Sequence, residues 1–232
     1  MQSLEHFSNC RIRTAKAYSS VYDSQAKWPE YNFTDAVKYY LDHPGREHFD
    51  VLVTSAPTVD ITNLNTSQLT ANENTDYFHQ RVIVSSQNMF SLAKQSLEQN
   101  PNLSKVILLE HPPRFDAKEV DPTSLKPVLA RLANATLSQL WLNSPLNDKI
   151  IIGRHSLESS GAGAQHLARY KNQRTGKYDG VHLYGEMGRT DYTNSVKTIL
   201  MLALSELNSG NHQMSAGQLS QATILIVLSP IT

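Results

Sequence analysis

Four short β-type runs alternate with longer amphipathic stretches, and this alternation restricts the fold of the chain more than any other feature. The run at 10–18 alternates apolar and polar residues, as strands do. The runs at 49–56, 105–111 and 149–155 are continuously apolar, which is typical of strands buried on both faces of a parallel sheet. The sequence therefore predicts four strands of one parallel sheet.

Helical spacing of apolar residues separates these runs. It occurs at 33–43, from about residue 76 to 99, at 122–143 and, after the last run, at 193–207. Strands that alternate with helices form right-handed crossovers and place helices on both faces of a parallel sheet. The predicted fold class is α/β, a three-layer doubly wound parallel sheet.

Composition limits the possible partners. The chain has 232 residues, enough for one sizeable core, and its 21 basic and 21 acidic residues produce no overall field that would attract nucleic acid or an acidic membrane. Cys10 is the only cysteine, and the start of the chain shows no signal-peptide pattern. No apolar run approaches the roughly 18 to 20 residues that cross a bilayer. We therefore expect an intracellular protein, cytoplasmic by default, with no membrane partner.

The segments that follow the strands are the candidate site, because ligands in doubly wound folds bind beyond the carboxyl ends of the strands. These segments are 55–64, 111–116 and 153–166, followed by the glycine-rich loop at 174–188. That loop contains Asp179 and, three residues later, His182. Some serine hydrolases present a general base and its orienting carboxylate with this spacing.

Four motifs follow one another along the chain: DVLVTSAPTVDITNL, KVILLEHPPRFD, KIIIGRHSLE and YDGVHLYGEMG. In their order and intervals they resemble the SGNH (GDSL-type) hydrolase domains, above all the divergent versions in animal mobile elements, and the similarity covers roughly residues 10–205. The resemblance implies an SGNH-hydrolase or flavodoxin-like sheet and a small ester or acyl substrate, with no cofactor and no metal. It also implies that His182 is the general base and Asp179 its orienting carboxylate.

The chain departs from the family pattern at three motifs. The Gly-x-Asn-Asp motif falls on residues 57–60, so that Val59 replaces the asparagine that donates to the oxyanion. The oxyanion-hole glycine falls near 17–20, where no glycine occurs. The Gly-Asp-Ser block, which carries the family's nucleophile after its first strand, is absent. That family strand lies between the second and third strands, so its loss would leave a slot of unpaired, buried backbone.

The C-terminal segment is the candidate to fill this slot. Residues 222–232 are rich in β-branched side chains, and the polar stretch before them has the composition of a linker. We therefore expect an SGNH-like domain at 1–208, a linker at 209–221 and an apolar tail at 222–232. Insertion of 223–228 as the central strand would bring Ser229 close to the family's serine position. The alternatives are a tail that takes no part in the sheet and a slot that is filled by a partner chain, which would make a dimer.

Metal and nucleic acid are the remaining ligands to consider. His79, His111, His155 and His166 show no metal-binding spacing. The segment 169–180 combines four basic residues with two tyrosines, a mixture that single-stranded nucleic-acid binders use. With no excess of positive charge in the whole chain, a solvated loop is the favoured interpretation, and RNA has only weak support as a partner.

Three functions from different classes follow. The first is a degenerate SGNH hydrolase-like domain without robust catalysis, and the lost motifs favour it. The second is a serine esterase or acyl-hydrolase for small esters, with His182 as general base and with a nucleophile supplied either by Ser229 or by a segment upstream of the given sequence. The third is a nucleic-acid-binding module on the same fold. The sequence does not indicate which oligomeric state the chain adopts.

Overall fold

The computed structural model describes the strands, the long helices and several shorter segments. The described residues are 11–16, 33–42, 48–55, 72–111, 125–154, 171–172, 174–176, 190, 193–194, 196–202 and 223–228.

Each predicted strand is present, with a shorter extent than its apolar run. β1 spans Arg11–Lys16, β2 Val51–Ser55, β3 Lys105–Leu109 and β4 Ile150–Gly153. A fifth strand, β5, spans Thr223–Leu228 in the C-terminal segment. All its side chains from 223 to 227 are buried, as are all those of β2. Continuous burial explains why these strands have apolar runs in place of alternating patterns.

Three long helices occupy the predicted stretches: α1 at Phe33–Asp42, α2 at Asn72–Gln99 and α3 at Leu125–Leu142. Helix α2 begins about one turn before the predicted start, and it ends where Asn100 donates its backbone N–H and its side-chain amide to Ser96 O. Proline follows at position 101. Its ring would clash with the carbonyl of the preceding turn, so the helix stops there. Helical structure also occurs at 196–202, within the fourth predicted helix.

The five strands form one sheet in the order β1-β5-β2-β3-β4, and every pair is parallel. The prediction of a parallel α/β fold is confirmed. Strand β5 lies in the interior, where residues 223–228 pair with β1 and residues 224–227 pair with β2. The C-terminal segment is thus part of the sheet, as the insertion hypothesis requires.

Apolar side chains pack on both faces of the sheet. On one face, Leu52, Leu108 and Leu225 pack in a cluster with buried residues of α1, α2 and α3. On the opposite face, strand residues such as Ile107 and Ile226 pack with Ile199 and Leu200 of the 196–202 segment. The sheet is therefore the middle of three layers, with helical residues on either side.

The helices are amphipathic in the way their sequences predict. The buried residues of α2 recur at three- and four-residue intervals, as the core face of a helix requires. They are Val82, Ser85, Ser86, Met89, Phe90, Leu92, Ala93 and Ser96. None of the helices in the described part of the chain has the length and apolarity that crossing a bilayer requires.

Candidate ligand-binding edge of the sheet

The carboxyl ends of the five strands lie at one edge of the sheet, because all the strands are parallel. The register pairs Lys16 with Leu228, and Ser55 with Leu109, which in turn pairs with Gly153. Five strands therefore end almost level with one another. We call this line of strand ends the carboxyl edge; it is the place where doubly wound folds bind their ligands.

Strand β2 changes from apolar to polar residues as it reaches this edge. Thr54 and Ser55 follow three apolar residues and are both buried. The hydroxyl oxygen of Thr54, Oγ1, makes no hydrogen bond within the described part of the chain. Burial of a hydroxyl is unfavourable without a hydrogen bond. The end of β2 therefore supplies buried hydroxyl groups at the predicted site.

Strand β3 delivers a buried carboxyl group to the same edge. Glu110 donates its backbone N–H to Gly153 O at 3.0 Å, which continues the β3–β4 ladder past the end of β3. Its Oε1 lies 3.6 Å from Nε of Arg154; the Glu110 side chain is 6% exposed and that of Arg154 is 74% exposed. A solvated guanidinium thus partly neutralises a carboxylate that is almost completely covered.

His111 is the next residue, and it is 2% exposed. Its backbone N–H donates to Oδ1 of Asn134 at 2.8 Å, and its carbonyl accepts a hydrogen bond from Nδ2 of Asn134 at 3.1 Å. One side-chain amide of α3 thus satisfies both backbone groups of a buried residue beyond the ladder. Because both bonds go to the same residue, they fix the direction in which the chain leaves β3.

Strand β4, the last strand in the described order, borders a groove of 420 Å³ whose lining includes Trp141, Ile152 and Arg154. The indole N–H of Trp141 donates to Ile150 O at 2.6 Å and to Asn147 O at 3.0 Å. Ile150 also donates its N–H to Leu146 O at 2.8 Å. The backbone N–H and C=O of Ile150, at the start of this edge strand, are therefore hydrogen-bonded to nearby residues of the same chain. This reduces the tendency of the strand to pair with another chain.

The three predicted catalytic residues lie outside the described residues: Asp179, His182 and Ser229. The same holds for Val59, Asp60, His155 and His166. The structure describes Leu228, which immediately precedes Ser229 in the sequence and pairs with Lys16 at the carboxyl edge. The proposed triad thus stays a prediction, while the strand that leads to Ser229 reaches the expected edge.

The histidines and the basic segment are described in part. No group of three or more His, Cys, Asp or Glu side chains that could hold a metal ion occurs among the described residues. In the basic segment, Lys171 and Arg174 are exposed, and Asn172 Oδ1 accepts the backbone N–H groups of Arg174 and Thr175 in a local turn. Their exposure suits a solvated loop and adds nothing specific for nucleic acid.

Sequence reasoning missed the role of Asn134 and the contact between Glu110 and Arg154. A signal for Asn134 was present in the sequence, because it lies on the apolar stripe of α3 with Ala130 and Leu137, where an amide needs partners. No sequence signal pairs Glu110 with Arg154, which are brought together by adjacent strands.

No protein-family model and no curated protein matches this chain.

Proposed function

We propose that this chain is an SGNH hydrolase-like domain that binds a small ester or acyl group at the carboxyl edge and lacks robust catalysis. The observation that carries the proposal is the interior position of β5. If β5 is counted as the first strand, the order β1-β5-β2-β3-β4 becomes 2-1-3-4-5, which is the flavodoxin-like order. This is the sheet that the four motifs imply.

The buried polar groups at the carboxyl edge support a binding role. Thr54 and Ser55 bring hydroxyl groups, and Glu110 brings a carboxylate balanced by Arg154. Ligand sites combine an apolar lining with a few polar groups that orient the ligand. The apolar residues that precede these groups in β2 and β3 are buried in the two cores and hold the polar groups at the ends of the strands.

The lost motifs argue against robust catalysis. The side chain of Val59 has no group that could donate to an oxyanion. Removal of one oxyanion donor typically costs about 10² to 10³ in rate. With the glycine near 17–20 also absent, two oxyanion contributions of the family are weakened together.

A serine esterase is the second candidate, and the path of β5 favours it. Leu228 ends an interior strand at the carboxyl edge, and Ser229 is the next residue. In this reaction Ser229 Oγ attacks the ester carbonyl while His182 accepts its proton and Asp179 orients the imidazole. His182 then protonates the departing alcohol, and a water molecule hydrolyses the acyl-enzyme to release the acid.

Hydrolysis of a short-chain p-nitrophenyl ester separates the two candidates. For the folded chain we expect a rate no greater than that of buffer, and the same rate for His182→Ala and Ser229→Ala. Activity that is lost in both variants, but kept in the control Ser91→Ala on the exposed face of α2, would establish the esterase and contradict the first candidate.

Binding is measured separately, by titration with a non-hydrolysable short-chain methyl ketone followed by backbone amide NMR. We expect the largest shifts at Thr54, Ser55 and Glu110, and none at 100–103, which precede β3 at the opposite edge. Shifts confined to the opposite edge, or no saturable shift at all, would rule out a ligand site at the carboxyl edge.

A further inference from the structure

The last strand in the sequence is an interior strand of the sheet. β5 pairs with β1 on one side and with β2 on the other, and β1 has no other neighbour in the described sheet. Leu225 and Val227 pack on one face, and Ile224 and Ile226 on the opposite face. A terminal segment therefore completes both the ladder and the two cores.

Asp50 recognises the first residue of this strand. Its backbone N–H donates to Thr223 O at 2.9 Å, and its Oδ2 accepts the backbone N–H of Thr223 at 2.8 Å. Its own carbonyl accepts from Ser104 N at 2.9 Å. Asp50 thus links the starts of β5, β2 and β3. Its carboxylate stabilises an inserted strand whose first backbone N–H lies within hydrogen-bond distance of Oδ2.

Without β5, the backbone groups of β1 and β2 that face it would lose their partners. Each unsatisfied buried group costs about 1–3 kcal/mol. We call the space between β1 and β2 the strand slot. The slot requires an extended segment that runs parallel to β1 and β2, is apolar on both faces and donates its first backbone N–H to Asp50. These requirements do not depend on which molecule supplies the segment.

The sequence before β5 has a linker composition. Residues 208–221 read NSGNHQMSAGQLSQ, which is polar and contains glycine and serine. A linker with this composition and a length of 14 residues has an expected root-mean-square span of about 20 Å. Such a tether produces a millimolar effective concentration of the attached strand. It favours uptake of the chain's own strand at low protein concentration.

We propose that the strand slot is a strand-acceptor site, which takes up segment Thr223–Leu228 from a second copy of this chain as well as from its own. The contacts are the same in both cases, since Asp50, β1 and β2 bind only the strand. The tether decides which copy supplies it. This inference rests on the geometry of the sheet and does not depend on the proposed function.

The test uses the folded full chain with a protease recognition sequence placed within 209–220. Two preparations are made, one uniformly labelled with ¹⁵N, and each is cut after folding. They are then mixed in equal amounts under native conditions and analysed by native mass spectrometry. We expect the C-terminal fragment to stay bound after cutting. We also expect heavy and light fragments to redistribute, until about half of the complexes combine a heavy part with a light part, as random pairing predicts.

Variants at Asp50 connect the exchange to the slot. Asp50→Ala removes the carboxylate that accepts Thr223 N–H, and we expect about tenfold faster redistribution, the effect of one charge-assisted hydrogen bond. Asp50→Asn keeps an oxygen acceptor and should accelerate exchange less, which provides a milder variant if the alanine variant does not fold. Asp76→Ala, an exposed aspartate on α2, is the matched control and should leave the rate unchanged.

Two results would overturn the proposal. Fragments that stay with their original partners until the whole chain unfolds would make β5 an integral strand that does not exchange. Loss of the fragment on cutting, with no rebinding when the two parts are mixed, would mean that the slot does not bind the strand without its tether.

Discussion

The two halves of the sheet are built from the same parallel ladders but from very different parts of the chain. In the sequential half, β2, β3 and β4 follow one another, with α2 and α3 between them. In the closing half, β1 and β5 pair with each other, so that Arg11 lies beside Thr223. Buried apolar side chains support both halves, but only the sequential half is formed by consecutive elements.

This difference affects the order of assembly more than the final stability. Loop closure costs only about 0.6 kcal/mol more for each doubling of the loop length. Contacts between distant parts of the chain nevertheless form slowly, because the chain loses loop-closure entropy before the contacts stabilise the structure. We therefore expect the closing half to join last during folding and to open first in the native state.

The largest expected effects come from a matched pair of core truncations. Leu225 in β5 and Leu108 in β3 are both fully buried in the same cluster. We expect Leu225→Ala and Leu108→Ala each to lower the free energy of unfolding by about 2–5 kcal/mol. Urea denaturation measures this, with the exposed Leu142→Ala as control, for which the change should stay within about 0.5 kcal/mol.

Native-state hydrogen exchange of the unmodified chain then sharpens the comparison. Amides of β5 should exchange with a lower free energy of opening than amides of β3, because we expect the closing half to open before the rest of the sheet. Equal opening free energies for the two strands would show one cooperative unit and remove the distinction between the halves.

An intermediate effect is expected at the end of β3, in the sequential half. Asn134→Ala removes both hydrogen bonds to the backbone of His111, a loss of about 1–3 kcal/mol for each buried group left unsatisfied. The control is Asn143→Ala, whose amide makes an exposed bond to Gln139 O. Thermal unfolding of the two variants should differ clearly; equal melting temperatures would mean that the two hydrogen bonds to His111 add no stability.

The smallest effect is expected at the edge of the same half. Arg154 contacts Glu110 at 3.6 Å but is largely exposed, so Arg154→Ala should lower the free energy of unfolding by only about 0–1 kcal/mol. The loss should shrink further at high salt, where such pairs are screened. Denaturation at low and high salt measures both quantities, and a salt-independent loss above this range would indicate a contact other than the ion pair.

The sequence predicted the elements of both halves well. Continuous apolar runs located β2, β3 and β4, and helical spacing located α1, α2 and α3 to within a few residues. The β-branched tail located β5. These predictions succeed because burial on one or two faces leaves a periodic signal within each segment. For the candidate site, the same patterns predicted only its location, at the edge of the sheet where the strands end.

The sequence by itself determined which segments become strands and helices and which side chains enter the core. Tertiary structure decided between insertion of 223–228 as an interior strand and a tail outside the sheet, and it alone showed that Asp50 binds Thr223 and that Asn134 fixes the backbone of His111. Periodicity is a property of neighbouring residues. Partners such as Asp50 and Thr223, 173 residues apart, are selected by packing and by the need to satisfy buried polar groups.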